Sequence, residues 1–487
     1  MRKTLDTRQK ELLLLCAAFL LYITRYAVFG FSYYPVLDDH IQYYWYANVS
    51  DVVSEVFLKI GTISTRPLAG IFDVYVWTPL FGIHGAVLAV SAAVSVLGIY
   101  FLKRTFENMD IHVGALFYLV LLFMPIGFET QYWLSASSRV MTGIFFASLS
   151  MVIFSSYAKR GGAWRFCLFA VMQLASYCFY EQVTIFSFLL CTAYFYRTRQ
   201  KWAVYAVPVI NGLIIAVYYL LFKGVGALSG RTQLVSGAEA VSHFTYMFEQ
   251  IKEIAWQGLF ELNANGLVRG MGVLIKNPVF FAAVTVLAAV FAGLCFYDGK
   301  KRAKRDVFAV LFGAVCAVLP MVLMFVTKDA SLPYRTIYVP LIGLCVIAEY
   351  IAARININYA AVRCIVFVMA FVFSISCVSE MNDYKNVSQI DEKICAGIAS
   401  ALDDEVISGK RECYVIGARR TYINANAEHN EHIINVTSSD WALTGAVRHS
   451  IGGYAGRIVP VENDTIDDKN AQILKINEDY TVSVVRK

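Results

Sequence analysis

The chain has 487 residues, of which 58% are hydrophobic and 16% are charged. Soluble domains carry roughly 25% charged residues, so this composition excludes an ordinary soluble protein and indicates a polytopic α-helical membrane protein. The net charge of +6 does not indicate nucleic-acid binding, because the Lys and Arg residues lie in short loops between apolar segments.

Eleven apolar segments are candidate transmembrane helices, and the first is expected to be retained in the mature protein because no small-residue cleavage site follows it. They span residues 12–36, 80–102, 112–128, 140–158, 164–180, 182–196, 202–222, 271–297, 306–326, 337–352 and 359–380.

The stretch 164–196 is too long for one span, since its residues would form a helix of about 50 Å against a hydrocarbon thickness of about 30 Å. Arg165 flanks one end, and Arg197 flanks the other. Positive residues collect on the cytoplasmic side of a membrane, so both ends are expected inside. The segment is therefore predicted to turn back near Tyr180, Glu181 and Gln182.

The same rule orients the other spans. Lys103 and Arg104, Lys159 and Arg160, and the basic cluster at 300–305 all fall on one side in an eleven-span arrangement. We expect a multi-pass protein of the cell membrane with a cytoplasmic N-terminus and an extracytoplasmic C-terminus. The absence of eukaryotic retention or lipidation signals favours a bacterial source.

Three external segments are large: the first loop 37–79, the second loop 223–270, and the tail 381–487. In the first loop, residues 49–61 place Val49, Val52, Val53, Val56, Phe57 and Ile60 on one helical face, as expected of a helix lying in the membrane interface. The stretch 240–264 has a similar pattern. We divide the chain into a membrane domain, 1–380, and the tail.

The tail is predicted to be a small extracytoplasmic α/β domain. Residues 388–406 form an amphipathic helix by their spacing, and 413–418, 456–461, 471–476 and 480–485 read as short strands, the last two joined in a hairpin. Of the eleven cysteines, only Cys395 and Cys413 lie in polar sequence, and they could pair in an oxidising compartment.

The first external loop begins with two adjacent carboxylates, Asp38 and Asp39, followed by His40 and several aromatic residues. At the end of a span one carboxylate can keep a raised pKa while the other stays ionised, and such a pair can move protons. The aromatic rings offer surfaces on which sugars stack. A simpler interpretation is that the two aspartates cap the next helix.

Further charged residues are predicted to lie near the same membrane face. A charge inside the bilayer costs roughly 2.5–3.5 kcal/mol on insertion scales, so such residues are usually paired or functional. Arg335, beside Tyr334, is the preferred phosphate ligand because its guanidinium is a rigid fork of donors. With Asp38 and Asp39, the residues expected around an outward-facing polar cavity are Arg66, Glu129, Arg139, Glu181 and Arg335. Each also has a structural interpretation: Glu129 could pair with Arg139, Glu181 could hold a chain reversal, and Arg66 and Arg335 could anchor to headgroups.

The layout resembles the GT-C superfamily of integral-membrane glycosyltransferases, in which a large first external loop follows an acidic residue or pair. The resemblance rests on Asp38 and Asp39, on the loop helix at about 49–61, on Arg66-Pro67, and on polar residues at outer span ends. Among its branches the chain is most similar to Gtr-type, GtrII-like glucosyltransferases that decorate bacterial surface polysaccharides such as O-antigen.

The resemblance implies that an external aspartate acts as catalytic base. It implies transfer of a sugar from a polyprenyl-phosphate donor to an external glycan or lipid-linked acceptor. The alternatives are a polysaccharide polymerase or ligase that uses lipid-pyrophosphate donors, for which Arg66, Arg231, Arg269 and Arg335 are candidate ligands, and a transporter or flippase for lipid-linked sugars. No cofactor is expected; a divalent cation at Asp38, Asp39 and His40 is the less favoured alternative.

Overall fold

A computed structural model describes residues 7–222, 224–226, 235–237, 239–295, 306–328, 331–355, 358–423, 429–461, 466 and 470–486. Arg231 and the basic cluster at 300–305 lie outside these residues. The described part of the chain is mostly helical, and the strands found in it lie near the C-terminus.

The α-helices up to the tail are α1 Thr7–Ala27, α2 Thr62–Thr65, α3 Pro67–Phe72, α4 Thr78–Phe81, α5 His84–Asn108, α6 Ala115–Tyr118, α7 Phe128–Tyr132, α8 Leu134–Ser137, α9 Val140–Arg160, α10 Ala163–Tyr177, α11 Glu181–Arg197, α12 Ala206–Phe222, α13 Ala240–Trp256, α14 Leu262–Ile275, α15 Pro278–Leu294, α16 Val307–Val318, α17 Val322–Val326, α18 Tyr334–Ala352 and α19 Tyr359–Ala401. π-Helical turns occur at His40–Trp45, Val53–Ile60, Asp73–Trp77, Leu119–Phe123 and Gln257–Glu261.

Six helices among the described residues are long and apolar enough to cross a membrane, which makes this a membrane-embedded helical protein. They are His84–Asn108, Leu134–Arg160, Trp202–Phe222, Val307–Val326, Tyr334–Ala352 and Tyr359–Ala401. A seventh arises if Ala115–Phe123 and Pro125–Tyr132, which meet at 53°, form one bent span. The predicted number of eleven is not confirmed.

Several predicted spans are shorter or broken in the structure for local reasons. Helix α1 ends at Ala27, nine residues before the predicted end of the first span. The segment 112–128 bends at Pro125, whose ring is incompatible with a continuing helix. The segment 271–297 is divided between α14 and α15, because Pro278 begins a new helix. Helices α10 and α11 are separated at 178–180, and the hydroxyls of Ser176 and Ser187 lie 2.7 Å apart across the break, which confirms the predicted chain reversal.

The predicted interfacial helix at 49–61 is a π-helical segment, Val53–Ile60, in the structure. Val56 and Phe57 are buried in a small apolar cluster with Tyr46 and Val74. Val53, which the spacing places on the same face, is exposed instead, because a π-helical turn changes the angular spacing of side chains.

Helix α19 is the longest element of the protein. Its 43 residues correspond to a length of about 65 Å at 1.5 Å per residue. The boundary drawn at residue 380 lies inside this helix, and the separately predicted span 359–380 and tail helix 388–406 are joined as far as Ala401. One apolar core accordingly runs from the membrane helices into the tail.

The tail contains a four-stranded sheet with strands β1 Cys413–Ile416, β2 Ile458–Val461, β3 Gln472–Ile476 and β4 Val482–Arg486, in the order β2-β1-β3-β4. Strand β1 pairs in parallel with β2 and β3, and β3 and β4 form the predicted antiparallel hairpin. The tail helices are α20 Asp404–Ile407 and α21 Asp440–Ile451, and α21 is the crossover between β1 and β2. Cys395 and Cys413 are both buried free thiols, so they do not pair.

Charged residues at one end of the helix bundle contact one another. Lys103 of α5 pairs with Glu11 of α1, with 3.2 Å between Nζ and Oε1. Arg197, at the end of α11, pairs with Asp306 at 2.9 Å and donates to the carbonyl of Met109, just beyond α5. Two of the basic groups that the sequence analysis assigns to the cytoplasm therefore lie at the same end of the bundle.

Two glycines one helical turn apart, Gly266 and Gly270, allow α14 to pack closely against α19. A Cβ atom on Gly266 would lie 2.9 Å from the Cβ of Ser376, and one on Gly270 would overlap the carbonyl oxygen of Ile375. This spacing of small residues is a known device for close packing of membrane helices.

We therefore expect Gly270→Ala to destabilise the protein by about 1–3 kcal/mol, the usual cost of overpacking. Thermal unfolding in detergent would measure the effect. Gly272→Ala on the same helix is the matched control, since nothing lies within 4 Å of the added Cβ. Equal unfolding temperatures for the two variants would contradict this packing.

Candidate active site

Asp39 is completely buried and serves as a hydrogen-bond acceptor. Its Oδ2 accepts from the hydroxyl of Tyr33 (2.8 Å) and the backbone N–H of Val36 (3.2 Å), and its Oδ1 accepts from the hydroxyl (2.7 Å) and backbone N–H (3.2 Å) of Ser135. Burial raises the pKa of Asp39 to about 7, although these donors act in the opposite direction. Asp39 thus ties the first loop to α8.

Asp38 is half-buried, and its carboxylate has no hydrogen-bond or ion-pair partner among the residues that the structure describes. It lies within electrostatic range of Arg139, Arg335 and Glu431. The two adjacent aspartates therefore differ: Asp39 is held by donors, whereas Asp38 is left available beside a group of charged side chains.

Arg66 and Glu181 form a two-pronged ion pair. The Nε and Nη2 of Arg66 donate to the carboxylate of Glu181 at 3.0–3.2 Å. Both side chains keep about a third of their surface exposed, 30% and 32%. The guanidinium also lies over the ring of Tyr180, 4.5 Å from its centroid, so Glu181 both begins α11 and orients Arg66.

Arg335 pairs with Glu431 of the tail, at 2.9 Å between Nη1 and Oε2, and its guanidinium lies 5.0 Å from the ring centroid of Trp133. Their side chains are 28% and 24% exposed. Burial raises the pKa of Glu431 to about 7; Arg335 lowers it, and the carboxylates of Glu129 and Asp38 add to the increase. The tail thus contributes a charged residue to the group that contains Asp38.

Arg139 pairs with Asp73 of the first loop rather than with Glu129, at 2.6 Å between Nη2 and Oδ2. Its Nη1 also donates to the side-chain oxygen of Gln42 at 3.1 Å. Asp73 is completely buried. The alternative that Glu129 and Arg139 pair with each other is therefore wrong, and Arg139 holds the first loop against the start of α9.

Glu129 is 2% exposed and joins three parts of the chain. Its Oε2 accepts the backbone N–H of Arg335 and its Oε1 accepts the backbone N–H of His432, both at 3.1 Å. Tyr334 is buried, and its backbone N–H donates to the carbonyl of His429. Glu129 and Tyr334 therefore help to fix the tail on α18, and their predicted role in substrate binding stays a prediction.

The residues expected from sequence around a polar cavity thus lie near one another. Arg66 contacts Tyr180, Arg335 contacts Trp133 and Glu431, and Arg139, Arg335 and Glu431 lie within electrostatic range of Asp38. Sequence reasoning missed Asp73, Glu431 and His432. The available signal for the last two was the stretch EHNEH at 428–432, with two histidines and two glutamates in five residues; Asp73 had no comparable signal.

The Asp38–Asp39–His40 cation site is not supported by the geometry. Both carboxylate oxygens of Asp39 are occupied by donors, and the buried ring of His40 lies against His449, with 5.7 Å between centroids. Among the described residues, one other group of three has the spacing to hold a metal ion: Glu380, Asp383 and His432.

A scan against protein-family models found no match for the chain, and a search of curated proteins found no significant match.

We expect Asp39→Asn to destabilise the protein by about 1–3 kcal/mol, because the amide would turn a donor towards the N–H groups of Val36 or Ser135 and leave one of them unsatisfied. Thermal unfolding in detergent would measure the loss. Asp38→Asn is the matched control: it is adjacent, equally conservative and free of such bonds, so it should unfold near the wild-type temperature. The reverse order of stability would show that Asp38 carries the structural bonds.

Proposed function

We propose that the protein is an integral-membrane glycosyltransferase of the GT-C type that moves a sugar from a polyprenyl-phosphate donor to an extracytoplasmic glycan or lipid-linked acceptor. The observation that carries the proposal is the position of Asp38, whose carboxylate has no bonded partner among the described residues and lies within electrostatic range of Arg335 and Arg139.

In this proposal Asp38 is the base. It takes the proton of the acceptor hydroxyl, whose oxygen attacks the anomeric carbon of the donor sugar, and the bond from that carbon to the phosphate oxygen breaks. The departing polyprenyl phosphate carries the negative charge. Asp39 positions Asp38 by anchoring the loop to Ser135, a role for which its four donors suit it.

Arg335 is the proposed ligand of that phosphate. Its present partner, Glu431, is a carboxylate that an incoming phosphate would replace, and the guanidinium can bind either group through two parallel hydrogen bonds. The buried rings of Trp133 and Tyr180 lie against the guanidinium groups of Arg335 and Arg66 and help to position them for the donor phosphate. A lipid-borne donor also agrees with an outward-facing site, since nucleotide sugars remain in the cytosol.

The second candidate is a transferase or ligase that uses a lipid pyrophosphate. It is favoured by one observation: the guanidinium of Arg66 lies 4.5 Å from the ring centroid of Tyr180, and Arg335 lies within electrostatic range of the same residue. A pyrophosphate has two phosphoryl groups for these two arginines to bind. Assaying polyprenyl-phosphate and polyprenyl-pyrophosphate sugars side by side distinguishes the candidates, because the leading proposal requires turnover of the monophosphate.

We expect Asp38→Asn to reduce sugar transfer by about 10²- to 10⁴-fold, the usual contribution of a general base, while the amount of folded protein stays near normal. The measurement is incorporation of label from polyprenyl-phosphate glucose into the glycan of membranes that contain the protein. Glu55→Gln is the control, an exposed acid of the same loop. Wild-type transfer by the Asp38→Asn variant would rule out the proposed base.

We expect Arg335→Lys to lower kcat/KM for the donor by about 10- to 100-fold, because a lysine cannot replace the paired hydrogen bonds of a guanidinium. Arg363→Lys is a control on an exposed arginine of α19. An unchanged donor dependence in Arg335→Lys would remove this residue from the phosphate site.

A reporter at the C-terminus checks the sidedness that the proposal needs: the reporter must lie outside the cytoplasm.

A further inference from the structure

A second group of chemically reactive side chains lies where α19 meets the tail. Glu380 and Asp383 lie one turn apart on α19, and His432 lies in the short helix Glu431–Ile433. One ligand atom from each of the three lies within 4.8 Å of the others. Their exposed fractions are 2%, 7% and 2%, so water does not solvate these groups freely.

The imidazole of His432 is buried without a hydrogen-bond partner at either ring nitrogen among the described residues. Its Nε2 lies 3.4 Å from Oε2 of Glu380 without forming a hydrogen bond. That separation is close to the distance of about 3.4 Å between two ligands that each bind one tetrahedral ion at about 2.1 Å. A buried nitrogen without a partner is costly, and a bound cation would satisfy it.

The groups around Glu380, Asp383 and His432 are arranged like the hydrogen-bond partners that lie behind the ligands of a metal site. Arg269 of α14 pairs with Oδ2 of Asp383 at 2.7 Å and with Oε1 of Glu380 at 3.4 Å, so each carboxylate keeps one oxygen for another partner. The other nitrogen of His432, Nδ1, faces Oε1 of Glu129 at 3.8 Å. A carboxylate behind a ligating histidine is the common outer arrangement at metal sites.

The balance of buried charges around His432 also favours a bound cation. Three buried carboxylates, those of Glu129, Glu380 and Asp383, surround His432, whereas Arg269 is the cation that pairs with two of them and is itself 43% exposed. With a neutral imidazole this group has excess negative charge, and uncompensated buried charge is strongly destabilising. Either a metal ion or a proton on His432 would compensate it.

We propose that Glu380, Asp383 and His432 bind a single divalent transition-metal ion, Zn²⁺ or Mn²⁺. One imidazole nitrogen with two carboxylate oxygens suits these ions, whereas Mg²⁺ and Ca²⁺ prefer oxygen ligands alone. The ion fastens the tail to α19 next to Glu431, the partner of Arg335. The proposal concerns binding and stability and does not depend on glycosyl transfer.

The test uses the purified full-length protein in detergent, stripped with a chelator and then titrated with Zn²⁺ or Mn²⁺ alone. The expected result is one ion per chain by elemental analysis, with a higher unfolding temperature in the presence of the ion. Glu380→Gln, Asp383→Asn and His432→Gln should each raise the Kd by about tenfold or more. Glu392→Gln is the matched control, an exposed acid on the same helix.

A measurement on the wild type alone keeps the proposal testable if those variants do not fold. Pulsed electron paramagnetic resonance of the Mn²⁺-loaded protein should detect one coordinated imidazole nitrogen. Binding without nitrogen coordination, no stoichiometric binding of either ion, or wild-type affinity in folded Glu380→Gln protein would each overturn the proposal and leave an ion-pair network with a protonated His432.

Discussion

The position of the tail depends on one buried carboxylate, Glu129. It comes from α7, just after the bend at Pro125, and accepts the backbone N–H groups of Arg335 and His432. A carboxyl group that is only 2% exposed needs hydrogen-bond donors, because an unpaired buried polar group is costly. The start of α18, the bent segment and the tail are therefore held in one arrangement, and Arg335 faces Glu431 because of it.

The charged residues near Asp38 are paired with one another, whereas Asp38 is not paired with any described residue. Arg66 is held by Glu181, Arg139 by Asp73, and Arg335 by Glu431. The pairs of Arg66 and of Arg335 are partly exposed, so they can exchange a carboxylate for a phosphate at modest cost because solvent weakens them, whereas the pair of Arg139 is buried. Asp38 has no such partner among the described residues, which is the physical basis for proposing it, rather than Asp39, as the group that moves a proton.

The tail is structurally part of the site and not an appended module. Helix α19 continues without interruption from the membrane region into it. Asp391 on that helix accepts hydrogen bonds from the side chain of Asn435 at 2.7 Å and from the backbone of Val436 at 3.2 Å. The carbonyl of His429 accepts the backbone N–H of Tyr334, so the segment 429–436, which carries Glu431 and His432, is held at both ends. This explains how a domain with no recognisable catalytic motif contributes charged groups to the neighbourhood of Asp38.

Local pattern and composition determined the membrane class, the two-helix reversal at 178–180, the four strands of the tail and the acidic pair, because apolar length, period-two alternation and turn residues are properties of short stretches. Only the tertiary structure decided which charges pair, which aspartate is buried, and that residue 380 lies inside one continuous helix. Asp73, Glu431 and His432 are far in sequence from the groups they meet. The energy of a buried charge is set by partners that packing supplies, and no local pattern encodes that energy.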